Sequence, residues 1–108
     1  MAITIKVAYE YSKTPGGRTI KDGPFSGEDF RETILIPKFE EAKNAGDQLI
    51  VDLDGGYGYG TSFLEEAFGG MARKLGDKEL RKIKIVSEEE PKLAEDVSCY
   101  IDSALKEK

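Results

Sequence analysis

The run Gln48-Leu-Ile-Val-Asp-Leu-Asp54 constrains this chain more than any other segment. A short apolar stretch bounded by a glycine-rich loop reads as a strand buried on both faces, which belongs in the middle of a sheet. Gly55-Gly-Tyr-Gly-Tyr-Gly60 follows as a loop. Phe63, Leu64, Ala67, Phe68, Met71, Ala72 and Leu75 then recur at three- and four-residue spacing, the mark of a helix docked by one wide apolar face.

The flanking segments extend this pattern. Ile3, Ile5 and Val7 alternate with polar residues, which predicts a half-buried strand running to about Tyr11. Thr14-Pro-Gly-Gly17 is a turn by its chemistry, and Arg18-Thr-Ile20 is expected to pair back on the first strand as a hairpin. Ser26-Gly-Glu-Asp29 reads as a capping box opening a helix that carries Phe30 and Ile34 inward. Pro37 must kink or restart that helix, and Gly46 is placed to end it. Lys82-Ile-Lys-Ile-Val86 predicts another strand. A capping box at Ser87–Glu90 predicts a last helix with Leu93, Val97, Tyr100, Ile101, Ala104 and Leu105 on its apolar stripe. Gly69-Gly70 inside the second helix points to close internal packing ahead of a partner contact. The alternation of strands and helices predicts one α/β layer with a partly parallel sheet.

At 108 residues the chain has the size of one domain, with no histidine and one cysteine, Cys99. That composition excludes histidine triads and general bases, the usual zinc sites and any internal disulfide. No catalytic residue, metal or cofactor is expected, and the chain reads as a non-enzyme. No apolar run approaches the roughly 20 residues that span a bilayer. The first residues lack a secretory pattern, so a cytoplasmic protein without membrane contact is expected. A net charge of −5 disfavours generic nucleic-acid binding. The charge is uneven: Arg73, Lys74, Lys78, Arg81, Lys82 and Lys84 form a basic block between two acidic regions. Such a block is ordinarily a solvated helix end, and otherwise a site for an acidic partner.

Ligands of open α/β sheets bind where strand ends meet helix starts, so residues 52–66 hold the candidate site. Gly55 and Gly60 have the spacing of a phosphate loop, but Thr61 occupies the lysine position, which argues against an active NTPase. Ser62-Phe-Leu-Glu65 is read as a capping box, leaving Thr61 with the freer hydroxyl. A phosphate on Thr61 would gain from helix amides and oppose Asp52, Asp54, Glu65 and Glu66. Asp52 and Asp54 lie two apart on a strand and read as one loop-capping and one solvated carboxylate, or as partners of a cation or hydroxyl near Thr61. Tyr57 and Tyr59, each flanked by glycine, serve either an interface or packing over the sheet edge.

Leu49-Ile-Val-Asp-Leu-Asp-Gly55, Gly60-Thr-Ser-Phe-Leu64 and Glu66-Ala-Phe-Gly-Gly70 resemble the STAS-like family of unknown function, distantly similar to STAS domains of bacterial anti-sigma factor antagonists. The resemblance implies a single small STAS-like α/β domain over residues 1–108, with a mixed sheet of about four strands and helices packed mainly on one face. It also implies a regulatory module that binds a kinase-like or anti-sigma-like protein. In those antagonists a Ser or Thr at this helix start is phosphorylated, and the match places Thr61 there with Ser62 adjacent. Gly60 stands where the motif has Asp, and Phe63 where it has Gly. Partner contacts are expected from Asp52, Asp54, Gly55, Gly56, Tyr57, Gly58, Tyr59, Gly60, Glu65 and Glu66. The chain is expected to be a monomer or weak homodimer. Two alternatives follow from the same residues: an antitoxin or immunity protein whose acid-rich last helix meets a basic toxin, and a small-ligand or nucleotide binder using the 52–62 loop.

Overall fold

The buried run becomes the middle strand of a sheet ordered β1 (Ala2–Lys6), β2 (Gln48–Asp52), β3 (Lys84–Val86). The structure is a computed structural model describing residues 2–56 and 58–106. Both pairings are parallel, with Ile5 beside Val51 and Val51 beside Ile85. The expected mixed sheet of about four strands is therefore corrected to three parallel strands among the described residues.

The missing strand has a local cause. The amides of Arg18 and Thr19 donate to the Asp22 carboxylate at 3.1 and 3.0 Å, and Ile20–Asp22 closes as a 3-10 turn. A side chain three or four residues away satisfies the donors that a hairpin would have used. The first strand is also shorter than predicted. Val7–Glu10 coils into a helical turn, α1, whose Glu10 accepts from the Lys6 amide at 2.6 Å.

Helix α2 runs through Gly27–Phe30, a wider π-helical stretch at Arg31–Leu35, and Ile36–Ala45. Buried Ser26 caps it by accepting from the Asp29 amide at 3.1 Å. Pro37 does not break the helix. It has no amide to donate and its ring crowds the carbonyl four residues back, and the wide turn just before it relieves that crowding. Gly46 ends the helix in the left-handed conformation, with φ of 73°. Helix α3 likewise comprises Thr61–Leu64, a π-helical stretch at Glu65–Gly69, and Gly70–Leu75. After a 3-10 turn at Lys78–Lys82 and β3, helix α4 spans Lys92–Lys106.

With the strands in sequence order, right-handed crossovers put both connecting helices on one face. The burial agrees: Ile5, Leu49 and Val51 are buried, while Thr4, Gln48 and Lys84 on the alternate positions are exposed. Val97, Ile101 and Ala104 of the predicted α4 stripe are buried in the same core, with Leu93, Tyr100 and Leu105 packed against it. The Ser87 box is not formed: its hydroxyl donates to the Glu90 carbonyl at 2.6 Å instead of accepting an amide.

Helices α2 and α3 meet closely at Gly27. A Cβ there would lie 2.5 Å from the Phe63 carbonyl oxygen and 3.2 Å from the Ala67 amide, so only glycine fits. Gly27→Ala is expected to cost about 1–3 kcal/mol, because backbone would have to move. Gly16→Ala, where nothing lies within 4 Å, is expected to stay within about 0.5 kcal/mol of wild type. Urea denaturation midpoints of the two variants check the pair.

Candidate functional site

Where β2 ends, the chain turns on two carboxylates. Asp52 Oδ1 accepts from the Asp54 amide at 2.9 Å, a local turn that redirects the strand. Asp54 then reaches across to the end of β3, where its two oxygens accept from the Glu88 and Glu89 amides, each at 2.9 Å. Glu89 answers by accepting from the Gly55 amide at 2.8 Å. Asp54 is the loop-capping carboxylate of the sequence reading. Asp52 is a turn-former as well. No trio of His, Cys, Asp or Glu able to hold a metal ion occurs among the described residues.

Tyr59 packs inward. Its ring centroid lies 6.1 Å from that of Phe63, and its hydroxyl donates to the Leu53 carbonyl at 3.0 Å. Burial pushes its pKa up to about 12, with Asp52, Asp54 and Glu89 adding to the rise. Of the two readings for this tyrosine, packing at the sheet edge is the one observed. Tyr57 lies outside the described residues. Leu53, Asp54, Gly56, Gly58, Tyr59, Ser87, Glu89, Glu90 and Leu93 line a hollow of about 230 Å3 beside the loop. The charged residues of that lining are acidic, which suits neither a phosphate nor a nucleotide.

Helix α3 starts two residues earlier than the capping-box reading. Gly60 is the N-cap, with no side-chain hydrogen bond, so Ser62 is not the cap. Thr61 and Ser62 are the first two helical residues and both are exposed. Gly60 has open space around it.

Glu65 and Glu66 face away from the loop into an ionic cluster. Glu65 accepts from Arg18 and Arg73, both at 2.6 Å. Glu66 accepts from Arg31 at 2.6 Å and from Arg18 at 3.3 Å. Arg31 also donates to the Glu66 carbonyl at 2.9 Å, within the widened turn of α3. The Arg73 hydrogen bonds hold the Glu65 carboxyl below its ordinary range, helped by Arg18 and opposed by partial burial. Gly69 and Gly70 lie beneath this cluster: a Cβ on Gly70 would collide with the Arg31 guanidinium, and one on Gly69 would lie 2.6 Å from Glu65 Oε2. The glycine pair thus serves internal packing, by charged side chains rather than by a strand.

Three exposed apolar residues escaped the sequence reading: Tyr9 (70% exposed), Ile20 (61%) and Phe25 (42%). Tyr9 lies across the loop, since a Cβ on Gly55 would sit 3.1 Å from its ring. Phe25 stacks edge-on to Tyr11 at 5.5 Å, and Tyr11 in turn packs on Phe30 at 5.2 Å. Reading 1–11 and 18–20 as strands hid Tyr9 and Ile20, and no spacing in the sequence marks Phe25.

A family model described as a STAS-like domain of unknown function matches residues 26–93, from the cap of α2 to the first turn of α4. The match covers more than half of the chain, which therefore belongs to this family. No curated protein and no solved structure matches the chain. No helix among the described residues is long and apolar enough to cross a membrane.

Tyr59 gives the site a pH signature. A raised pKa means the folded state keeps a proton that the unfolded state releases, so stability is full below pH 10 and is lost as pH climbs toward about 12. Tyr59→Phe is expected to cost about 0.5–1.5 kcal/mol at pH 7 through the lost hydrogen bond, and to lessen the alkaline decline, to which Tyr11, raised by burial and by Asp29, also contributes. Denaturant midpoints from pH 7 to about 12 check both signs.

Proposed function

We propose that this domain is a regulatory protein-binding module, docking its partner through the loop at the end of β2 and switched by phosphorylation at Thr61. The observation that carries this reading is the pair of exposed hydroxyls, Thr61 and Ser62, in the first turn of a helix that no side chain caps. The positive end of the helix dipole favours a negative group there by about 0.3–1 kcal/mol.

The electrostatics support the same reading. Of the four carboxylates expected to repel such a phosphate, Glu65 and Glu66 carry cationic partners. Asp52 and Asp54 hold backbone amides, and Glu65 and Glu66 are held by arginines. Arg18, on Glu65 and Glu66, stands about one helical turn from the hydroxyls, because residues four apart share a helix face. A phosphate there competes with the glutamates for Arg18, and Arg18 anchors the 18–25 segment that carries exposed Ile20 and Phe25. Exposed aromatics beside a modifiable hydroxyl suit a protein interface.

The test compares wild type, Thr61→Ala, Thr61→Glu and Tyr9→Ala as baits in lysate of the native host, with retained proteins quantified by mass spectrometry and the bait itself mapped for phosphate. A kinase-like or anti-sigma-like regulator retained about tenfold differently by Thr61→Ala and Thr61→Glu, and depleted on Tyr9→Ala, is the expected outcome. Equal retention by all four baits, with no phosphate at Thr61 or Ser62, overturns the proposal.

A further inference from the structure

Three guanidinium groups, of Arg18, Arg31 and Arg73, meet the two carboxylates of Glu65 and Glu66. The glutamates do not depend on all three alike. Arg73 grips Glu65 at both oxygens, at 2.6 and 3.3 Å. Arg31 holds Glu66 Oε2 at 2.6 Å, and these two side chains are the least exposed of the five. Arg18 is the most exposed, at 43%. Its Nη1 takes one oxygen of each glutamate, at 2.6 and 3.3 Å. If Arg18 leaves, each carboxylate keeps a guanidinium, so no partly buried charge is orphaned. Arg18 is therefore the exchangeable cation of the cluster, and pairs so exposed are held by little.

Arg18 also belongs to a closed loop. The Gly16 amide donates to the Phe25 carbonyl at 3.0 Å and pinches residues 16–25 at their base. Inside, the Asp22 carboxylate accepts from the Arg18 and Thr19 amides. The carbonyls of Gly17 and Arg18 accept from the first two amides of α2, Gly27 and Glu28, each at 3.0 Å. The backbone of the loop thus closes the start of α2. Among the described residues, the hydrogen bonds from the loop to α3 are those of the Arg18 side chain.

Thr61 and Ser62 stand four residues before Glu65 and Glu66, so each hydroxyl has one of these glutamates a turn further along its own helix face. A phosphate offers three acceptor oxygens and nearly two charges. It suits a guanidinium better than a carboxylate already held by another arginine. We infer that Arg18 answers a phosphate on Thr61: its guanidinium crosses from Glu65 and Glu66 to the phosphate, and the 16–25 loop loses its tie to α3. Exposed Ile20 and Phe25 then ride on a loop anchored at α2 alone. The exchange rests on the Thr61 switch proposed above and gives it a moving part.

Phosphothreonine installed at position 61 by codon reassignment removes the need for a kinase. Lack of phosphate on Thr61 in the host counts against the switch, whereas the installed phosphate judges Arg18 by itself. Wild type and Arg18→Gln are each prepared as full chains with and without the phosphate, and circular dichroism verifies that they fold. Phosphorus NMR is expected to place the second ionisation of the phosphate, ordinarily about pH 6, lower by about 0.5 or more in wild type than in Arg18→Gln. Arg18→Lys, which keeps the charge but loses the fork, is expected to fall between the two. Hydrogen exchange reads the loop through the amides of Ile20, Gly27 and Glu28, which its closed form engages. The phosphate is expected to speed their exchange roughly threefold or more. Arg18→Gln without phosphate is expected to do the same, and the phosphate to add nothing to that variant. An ionisation that ignores Arg18→Gln overturns the inference. So do amides whose exchange ignores the phosphate, or responds to it equally in Arg18→Gln.

Discussion

The rest of this structure depends on β2 having a parallel neighbour on each side. It is the interior strand of the sheet, and Val51 joins Ile5 and Val51 joins Ile85 in one row under the helices. With Val51 and Leu49 buried, a one-residue slip of register would turn both to the solvent face and bring Ile50 and Asp52 under the helices. The register in turn fixes where β2 ends relative to β3. That offset lets one carboxylate, Asp54, reach two amides of the β3 exit. The loop is therefore not an independent feature grafted on the sheet. Its shape follows from strand register through a bidentate cap.

A second constraint acts between the helices. α2 and α3 approach at Gly27 closely enough that backbone meets backbone, and the Arg31–Glu66 pair lies beside that contact over Gly70. Both helices widen into π-helical turns at this level, Arg31–Leu35 in one and Glu65–Gly69 in the other. In α2 the widened turn lies just before Pro37, where it relieves the crowding of the proline ring. In α3 it presents the Glu66 carbonyl to Arg31, so the neighbouring helix satisfies an acceptor in the widened turn. Arg31 and Glu66 are mostly buried, with side chains 13% and 19% exposed. A pair in that setting loses far more when one partner is removed than an exposed pair does.

How much of this was legible in the sequence depended on whether the signal was local. The QLIVD run, the Ser26 cap, the Gly46 stop and the α4 stripe each announce themselves within a few residues, and each is found where expected. The same holds for the family, whose signature lies in contiguous motifs around the loop. The fourth strand failed because Arg18-Thr-Ile20 has strand-like composition, but Asp22 offers its amides a nearer acceptor. The Ser62 box failed by two residues, since Gly60 in extended conformation starts the helix without any side chain. At the site, the role of Asp54 depended on residues 34 and 35 positions away, and those of Glu65 and Glu66 on arginines up to 48 away. Spacing within a motif does not encode such partners.

Those distant partners also decide what kind of site this is. Carboxylates that catalyse or bind ions need lone pairs turned toward a cavity. Asp52 and Asp54 turn theirs toward backbone amides, and Glu65 and Glu66 toward guanidinium groups. The functional groups of the loop region that remain open are hydroxyls and aromatic rings on the surface: Thr61, Ser62 and Tyr9. These residue types make contacts and accept modification without a pocket. The hollow lined by Asp54, Glu89 and Glu90 is small and acidic. The carboxylates of the site thus hold the loop in one shape, while its hydroxyls and Tyr9 lie on the surface, the arrangement that the proposed binding role calls for.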